Sequence, residues 1–166
     1  QPLILVIAGN RISAWPFAPD WADGVQESLE WLTELLTSTS GVEQRRSLRL
    51  SPRRSFEAEF YAEGRERVLL DLSLAGWGGR IWALPVWPDI QLLASVTAAG
   101  ALTVECDTRW RDFRAGGLAL LRGESAFEYE VVEIQALAAS AIQLARPVQR
   151  RWPAGSRLYP IRTAQL

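Results

Sequence analysis

The sequence predicts a mainly β (α+β) protein, with a β-sandwich-like first domain that contains one helix and a small all-β barrel or sandwich domain after it. Three observations lead to this prediction. Apolar and polar residues alternate with a period of two after Gly41 and again past Asp89, which is typical of half-buried strands. The clearest helical spacing is confined to residues 64–75. Glycines and prolines separate the short alternating segments, as they do in all-β domains.

The first domain is predicted to span residues 1–88 and to begin with a strand. Residues 3–8 form an apolar run rich in β-branched side chains. This run is too short to cross a bilayer and lacks the basic flank of a signal peptide. Residues 25–37 fit either a helix or a strand, because their apolar residues satisfy both spacings. Read alone, this segment favours a helix slightly.

The middle of the first domain is predicted to hold two strands and then the helix. Residues 42–50 and 56–62 are predicted to be two strands, and the Ser-Pro-Arg-Arg turn at 51–54 joins them. The helix at 64–75 is followed by glycines and then by a strand at 80–87. Its apolar face is formed by Val68, Leu69, Leu72 and Ala75.

The second domain is predicted to span residues 89–166 and to contain only strands. Its alternating segments are short and recur at the spacing expected of a small barrel or sandwich. The predicted strands are 92–97, 102–106, 117–122, 127–134, 141–144 and 157–161. Because the chain stops directly after the last of these, we expect the 166 residues to be part of a longer gene product.

Composition excludes several classes of function. All eighteen basic residues are Arg, and the chain has no His, so it lacks the usual general base and the commonest metal ligand. A net charge of -1 argues against a nucleic-acid partner. The single cysteine, Cys106, forms no internal disulfide and is predicted to point into a core. We expect no cofactor, no bound metal and no membrane insertion by this chain.

The dense group of arginines between residues 45 and 54 is the main charged feature. Phosphate binding is one interpretation, but the balanced net charge favours ion pairs within a sheet or between subunits. Glu57, Glu59 and Glu63 on the next strand are the predicted cross-strand partners. The group consists of Arg45, Arg46, Arg49, Arg53 and Arg54.

Tryptophans and carboxylates leave two further possibilities open. Eight Trp are unusual, and Trp77, Trp82, Trp87 and Trp110 are candidates for a partner or carbohydrate surface, although core packing is the alternative. If the strand at 80–87 is regular, Trp82 and Trp87 lie on opposite faces. Glu128 and Glu130 could belong to a glycosidase pair, but their alternation predicts a solvated strand face.

Several residues together resemble the N-terminal region of siphophage and prophage tail proteins, which are distal-tail or tail-tip components. The first set is Trp31, Thr33, Gly41, Glu43, Gln44, Arg45, Leu48, Arg49, Pro52 and Arg53. The strand sequence GRIWALPVWPD at 79–89 is similar as well. In the second half, Asp107-Thr108, Phe113, Ala115-Gly116-Gly117, Glu130-Val131-Val132 and residues 152–160 resemble the accessory β-domain of these proteins. The first domain is similar, more distantly, to distal tail proteins of gene transfer agents.

The resemblance implies a structural protein of the virion and no enzyme. It favours strands over a helix in residues 25–37. It implies a homo-oligomeric ring at the tail tip, assembled in the host cytoplasm, which contacts tail-tube, tip or fibre proteins. The interface candidates are Arg45, Arg46, Arg49, Arg53, Arg54, Glu57, Glu59, Trp82, Trp87 and Trp110. The alternatives are a host-surface carbohydrate-binding module and a tail-associated glycan hydrolase.

Overall fold

The computed structural model of the protein describes residues 4–7, 10–75 and 80–165, which form thirteen strands, one α-helix and a 3₁₀ turn. The elements before residue 80 are β1 (Ile4–Ile7), β2 (Asn10–Ala14), β3 (Val25–Glu30), β4 (Thr33–Thr37), β5 (Glu43–Ser47), β6 (Arg53–Ala58) and α1 (Gly64–Leu74). Those after it are β7 (Ile81–Pro85), the 3₁₀ turn (Trp87–Asp89), β8 (Gln91–Leu92), β9 (Thr103–Glu105), β10 (Leu118–Arg122), β11 (Tyr129–Ala138), β12 (Ala141–Leu144) and β13 (Arg157–Ala164).

The chain divides into two compact units. The larger unit comprises Gln1–Ala18 and Tyr61–Leu166, and the smaller comprises Pro19–Phe60. We call the smaller unit the ribbon, because its four strands form two sheets of two strands each.

One sheet organises the larger unit. Its strand order is β1-β2-β7-β13-β10-β11-β12-β9, and β8 pairs with the start of β13. The pairing of β2 with β7 is parallel, and the other pairings are antiparallel. The fold is therefore mainly β with one α-helix, as the sequence predicts.

The central strand β10 is buried on both of its faces, so its sequence is a continuous apolar run. Ala119 and Leu121 face the main hydrophobic core. The opposite face of β10 presents Arg122, whose Nε donates a hydrogen bond to the Pro16 carbonyl at 2.9 Å. The core cluster consists of Leu93, Val104, Cys106, Phe113, Ala119, Leu121, Val132, Ile134, Ile142, Leu144, Val148, Trp152 and Leu158.

The ribbon is built from β3 paired with β6 and from β4 paired with β5. A tight turn at residues 38–42 joins β4 to β5. Gly41 has a φ of 80°, a conformation that glycine adopts without steric cost. Its N–H donates to the Ser38 carbonyl at 3.0 Å, and the Ser38 N–H donates to the Val42 carbonyl at 2.9 Å. The chain enters and leaves the ribbon at one place, because the Asp20 N–H donates to the Glu59 carbonyl at 2.8 Å.

Most predicted strands are present, with changes at their ends. Residues 25–37 form β3 and β4, so the strand that the resemblance favours is confirmed over the helix. Cys106 is buried in the core, as predicted. The predicted strand at 92–97 is wrong, since only Gln91–Leu92 form a strand there and Thr97 makes an isolated bridge with Trp152. The ends of the predicted strand 3–8, Trp77 and the glycines after the helix lie outside the described residues.

The helix is confirmed at Gly64–Leu74, but its predicted apolar face is not the buried one. Val68 and Leu72 are 57% and 61% exposed, whereas Ser73 is buried. The inward side also contains the half-buried Leu69, Leu70 and Leu74. Glu66 on this side accepts a hydrogen bond from the Ala126 N–H at 2.8 Å, whereas the Ser73 hydroxyl donates within the helix, to the Leu69 carbonyl at 2.7 Å. The contact with Ala126 joins this side of the helix to the turn between β10 and β11.

The observed division of the chain differs from the predicted boundary at residue 88. β7 precedes this position and β13 follows it, yet the two strands pair antiparallel from Pro85–Ile161 to Trp82–Ala164. The predicted boundary therefore falls inside one continuous sheet. Strand spacing along the sequence could not show this, because the pairing joins residues about eighty positions apart.

Candidate interaction surface

The ribbon separates acidic from basic residues along its length. Its acidic half, residues 25–37, contains three Glu and no Arg. Its basic half, residues 43–58, contains five Arg and two Glu. The two halves run antiparallel and are hydrogen-bonded to each other, so one edge of the ribbon is acidic and the other is basic.

Within the ribbon, two of the five arginines lie directly opposite glutamates of the acidic half. Glu30 pairs in register with Arg53, and Glu34 pairs with Arg46. Arg54 also forms an ion pair with Glu27, which lies diagonally across from it. Cross-strand pairs of opposite charge stabilise a sheet by about 0.2–1 kcal/mol each. The observed register therefore brings opposite charges together at three places along the ribbon.

Glu57 and Glu59 are predicted from the sequence to be the cross-strand partners of the arginines, and the observed register shows that this prediction is wrong. β6 pairs with β3 and not with β5, so Glu57 lies opposite Gln26. Glu59 lies beyond the end of β6 and contributes its carbonyl to the base of the ribbon. Sequence reasoning placed the partners on the next strand in the chain. The three glutamates of the acidic half were visible in the sequence but were not connected to the arginines.

The ribbon also exposes many large apolar side chains. Throughout residues 20–60, all of which the structure describes, no residue is buried. Exposed apolar patches of this kind mark contacts with other macromolecules. The exposed residues of the ribbon are Trp21, Leu29, Trp31, Leu32, Leu35, Leu36, Val42, Leu48, Leu50 and Phe60.

Arg49 differs from the other arginines of the ribbon. It is half-buried between β5 and β6, and its Nη1 has no hydrogen-bond partner among the described residues. A buried guanidinium nitrogen without an acceptor is costly.

Trp82 and Trp87 are buried in the larger unit, so neither is a surface candidate in this structure. Trp82 contacts the Trp15 ring edge-to-face, with centroids 5.4 Å apart. Trp87 contacts Tyr159 in the same way at 4.8 Å. The prediction that these two residues lie on opposite faces of one strand is wrong, because β7 ends at Pro85 and Trp87 begins the 3₁₀ turn.

Trp110, unlike Trp82 and Trp87, lies at the surface. Its side chain is 93% exposed, and its φ of 60° is a left-handed conformation that bulky residues rarely adopt. The adjacent turn is held by Asp107, whose carboxylate accepts hydrogen bonds from the backbone and side-chain N–H groups of Arg109 at 3.0 Å. These bonds hold the pKa of the Asp107 carboxyl at about 2, well below its ordinary value. Trp110 is therefore presented to solvent on an ordered turn.

Glu130 does not lie on a solvated face, which corrects the prediction made from alternation. It is buried and accepts hydrogen bonds from the Gln149 N–H at 2.6 Å and from the Trp152 indole N–H at 3.0 Å. These bonds connect β11 to the loop before β13. Because both hydrogen bonds join Glu130 to the same loop, they fit a structural role for this residue.

No protein-family model matches this chain, and no curated protein matches it. Within the described part of the chain, no group of three or more His, Cys, Asp or Glu residues could hold a metal ion. None of the helices among the described residues is long and apolar enough to cross a membrane.

Proposed function

We propose that this chain is a structural subunit of a phage tail tip, which assembles as a symmetric homo-oligomer through its ribbon. The observation that supports this proposal best is the ribbon itself. It has no buried residue from 20 to 60, yet it exposes a series of large apolar side chains. A two-stranded sheet is marginally stable in water, so an ordered ribbon gains from covering by a partner.

The charge distribution favours a second copy of the same chain as that partner. An acidic edge on one copy complements the basic edge of its neighbour, and opposite charges across an interface fix orientation. Such a contact is head-to-tail, and head-to-tail contacts produce rings when the rotation closes. A closed ring leaves no unpaired ribbon edge.

The assignment to a tail tip rests on the resemblance described above. In this proposal the sheet of the larger unit is the sandwich- or barrel-like body of the subunit. The ring would sit at the distal end of the tail tube and contact tube, tip or fibre proteins. The ribbon is then the element that joins neighbouring subunits.

A charge-exchange experiment tests head-to-tail assembly. The variant Arg45→Glu/Arg49→Glu has two acidic edges, and the variant Glu30→Arg/Glu34→Arg has two basic edges. We expect each variant alone to be monomeric and an equimolar mixture to assemble, because acidic edges then meet only basic edges. Sedimentation velocity measures the assembly, and circular dichroism checks that each variant is folded. Arg146→Glu, an exposed change outside the ribbon, is the control and should assemble normally.

If the two ribbon variants stay monomeric when mixed while the wild type assembles, the edges do not pair as proposed. If both variants assemble alone like the wild type, the ribbon charges have no part in assembly.

Trp110 supports a second candidate function, a carbohydrate-binding module. A fully exposed indole on an ordered turn, in a backbone conformation that costs about 1–3 kcal/mol, is typical of residues retained for contact with a ligand. On a glycan array, this function requires binding by the wild type that Trp110→Ala abolishes. Equal signals from both proteins would remove this candidate.

A further inference from the structure

The larger unit contains a pocket of about 380 Å³ that has no part in the proposed assembly. The end of β10, the turn that follows it and the loop leading into β13 form its walls. Its volume lies in the range of sites that bind small molecules. None of its lining residues belongs to the ribbon.

Four arginines line this pocket, against two carboxylates. The sheet register places Arg122 directly opposite Arg157. Like charges opposite each other on neighbouring strands destabilise a sheet. Here both side chains donate through Nη1 to the Gly123 carbonyl at 3.2 Å, which holds the two guanidinium groups side by side. The other two arginines, Arg150 and Arg151, come from the loop.

The two carboxylates leave half of this positive charge uncompensated. Glu124 lies 3.5 Å from the Arg157 Nη1, but its side chain is largely exposed, and an exposed pair contributes little. Glu128 instead accepts a hydrogen bond from the Glu124 backbone N–H at 3.3 Å. The pocket therefore keeps an excess of cationic groups over anionic ones.

The guanidinium groups of the loop are available to a ligand. Arg150 lies over the Trp152 ring at 4.2 Å, which fixes the plane of its guanidinium group, and its side chain is half-buried where it lines the pocket. Arg151 is exposed and has no ion-pair partner in the part of the chain that the structure describes.

Burying the charged guanidinium group of Arg122 at this pocket costs electrostatic free energy. Burial lowers the pKa of its guanidinium, and the neighbouring Arg157 acts in the same direction. Tyr159, Glu66 and Glu124 oppose this effect through their charges. An anion in the pocket would favour the charged form of every arginine that lines it.

We propose that this pocket binds a compact oxyanion, a carboxylate or a phosphate, with Arg150 and Arg151 as its direct contacts. The planar fork of a guanidinium group matches both anions and binds them through two parallel hydrogen bonds. Arg122 and Arg157 provide the positive field at the base of the site. This binding is separate from subunit assembly, because no ribbon residue takes part.

Isothermal titration calorimetry tests the proposal on the full chain. The probes are sodium phosphate and sodium glucuronate, with glucose as the neutral control and with ionic strength held constant. We expect at least one of the two anions to bind and glucose not to bind. In Arg150→Gln/Arg151→Gln the dissociation constant should rise by about tenfold or more, the effect of one lost hydrogen bond to a charged group. Arg146→Gln is the matched control and should bind like the wild type, since this exposed arginine lies outside the pocket.

The pattern of binding identifies the ligand class. Binding of phosphate alone supports a phosphate site, and binding of glucuronate alone supports a site for acidic sugars. The single variant Arg151→Gln is measured as well, because its exposed side chain is not needed for folding. The proposal is overturned if neither anion binds at millimolar concentration, or if both the double and the single variant bind like the wild type.

Discussion

At the scale of single residues, the indole side chains divide sharply by environment. Trp82 is buried against Trp15, and its indole N–H has no acceptor among the described residues, so packing alone holds it. Trp110 is almost fully exposed in a left-handed backbone conformation. The same residue type therefore stabilises the fold at one position and is presented to solvent at the other.

This difference predicts opposite effects of truncation. Trp82→Ala should lower the free energy of unfolding by about 3–5 kcal/mol, because it leaves a cavity in the core. Trp110→Ala should change it by no more than about 0.5 kcal/mol, as is usual for surface positions. Urea denaturation followed by circular dichroism measures both values. Similar losses for the two variants would contradict the burial described here.

Cys106 predicts a pH dependence of stability. Burial raises the pKa of its thiol to about 11, and the charge of Asp107 acts in the same direction. Below an unfolded-state pKa of about 9 both states keep the proton, so the contribution to stability is fully present there. Above that pH the unfolded state loses the proton first, and stability falls until the folded-state pKa is reached.

The expected loss between about pH 9 and pH 11 is about 2–3 kcal/mol, since each unit of pKa difference corresponds to about 1.4 kcal/mol. Urea unfolding of the wild type and of Cys106→Ala at several pH values isolates this contribution from other titrating groups. If the free energy of unfolding depends on pH in the same way for the two proteins, burial does not raise the pKa of the Cys106 thiol.

At the scale of elements, the ribbon should be separable from the rest of the chain. The main hydrophobic core lies in the larger unit, and residues 20–60 bury none of their side chains. The two ends of the ribbon are held together by the Asp20–Glu59 backbone hydrogen bond. Replacing residues 20–59 with a short Gly-Ser linker should therefore preserve the fold of the larger unit.

We expect both the wild type and this deletion variant to unfold cooperatively, and the deletion variant to be monomeric at every concentration. Differential scanning calorimetry measures the first property and sedimentation velocity the second. Loss of cooperative unfolding would show that the larger unit needs the ribbon to fold. Retained oligomers would show that assembly uses another surface.

The positions of the strands and the helix were easier to predict from the sequence than the pairing of the strands. The alternation that follows Gly41 predicted β5 and β6, and the spacing in 64–75 predicted α1. Alternation identifies strands but does not select partners, so β6 was assigned to β5 although it pairs with β3. The inward side of α1 was missed because apolar residues occur on two sides of the helix, and spacing alone does not show that the side with Leu69, Leu70 and Leu74 is the half-buried one.

At the scale of the whole molecule, the sequence indicated a mainly β fold but not its division. The pairing of β7 with β13 and the separate ribbon both depend on contacts between distant residues. The Arg cluster was recognised as an interface candidate from its density. The sequence shows an acidic segment and a basic segment. Only the observed register shows that the two segments pair and form opposite edges of one ribbon. Arg122 lies far in sequence from the other three arginines of the pocket, Arg150, Arg151 and Arg157, so the group is not recognisable as a motif.

The central claim is that the ribbon joins copies of this chain into a closed oligomer. Mass photometry of the purified protein at several salt concentrations tests it most directly. We predict one species with a defined number of subunits at low salt, which dissociates as salt rises, because exposed charge pairs are screened. A monomer at all protein and salt concentrations would contradict self-assembly through the ribbon.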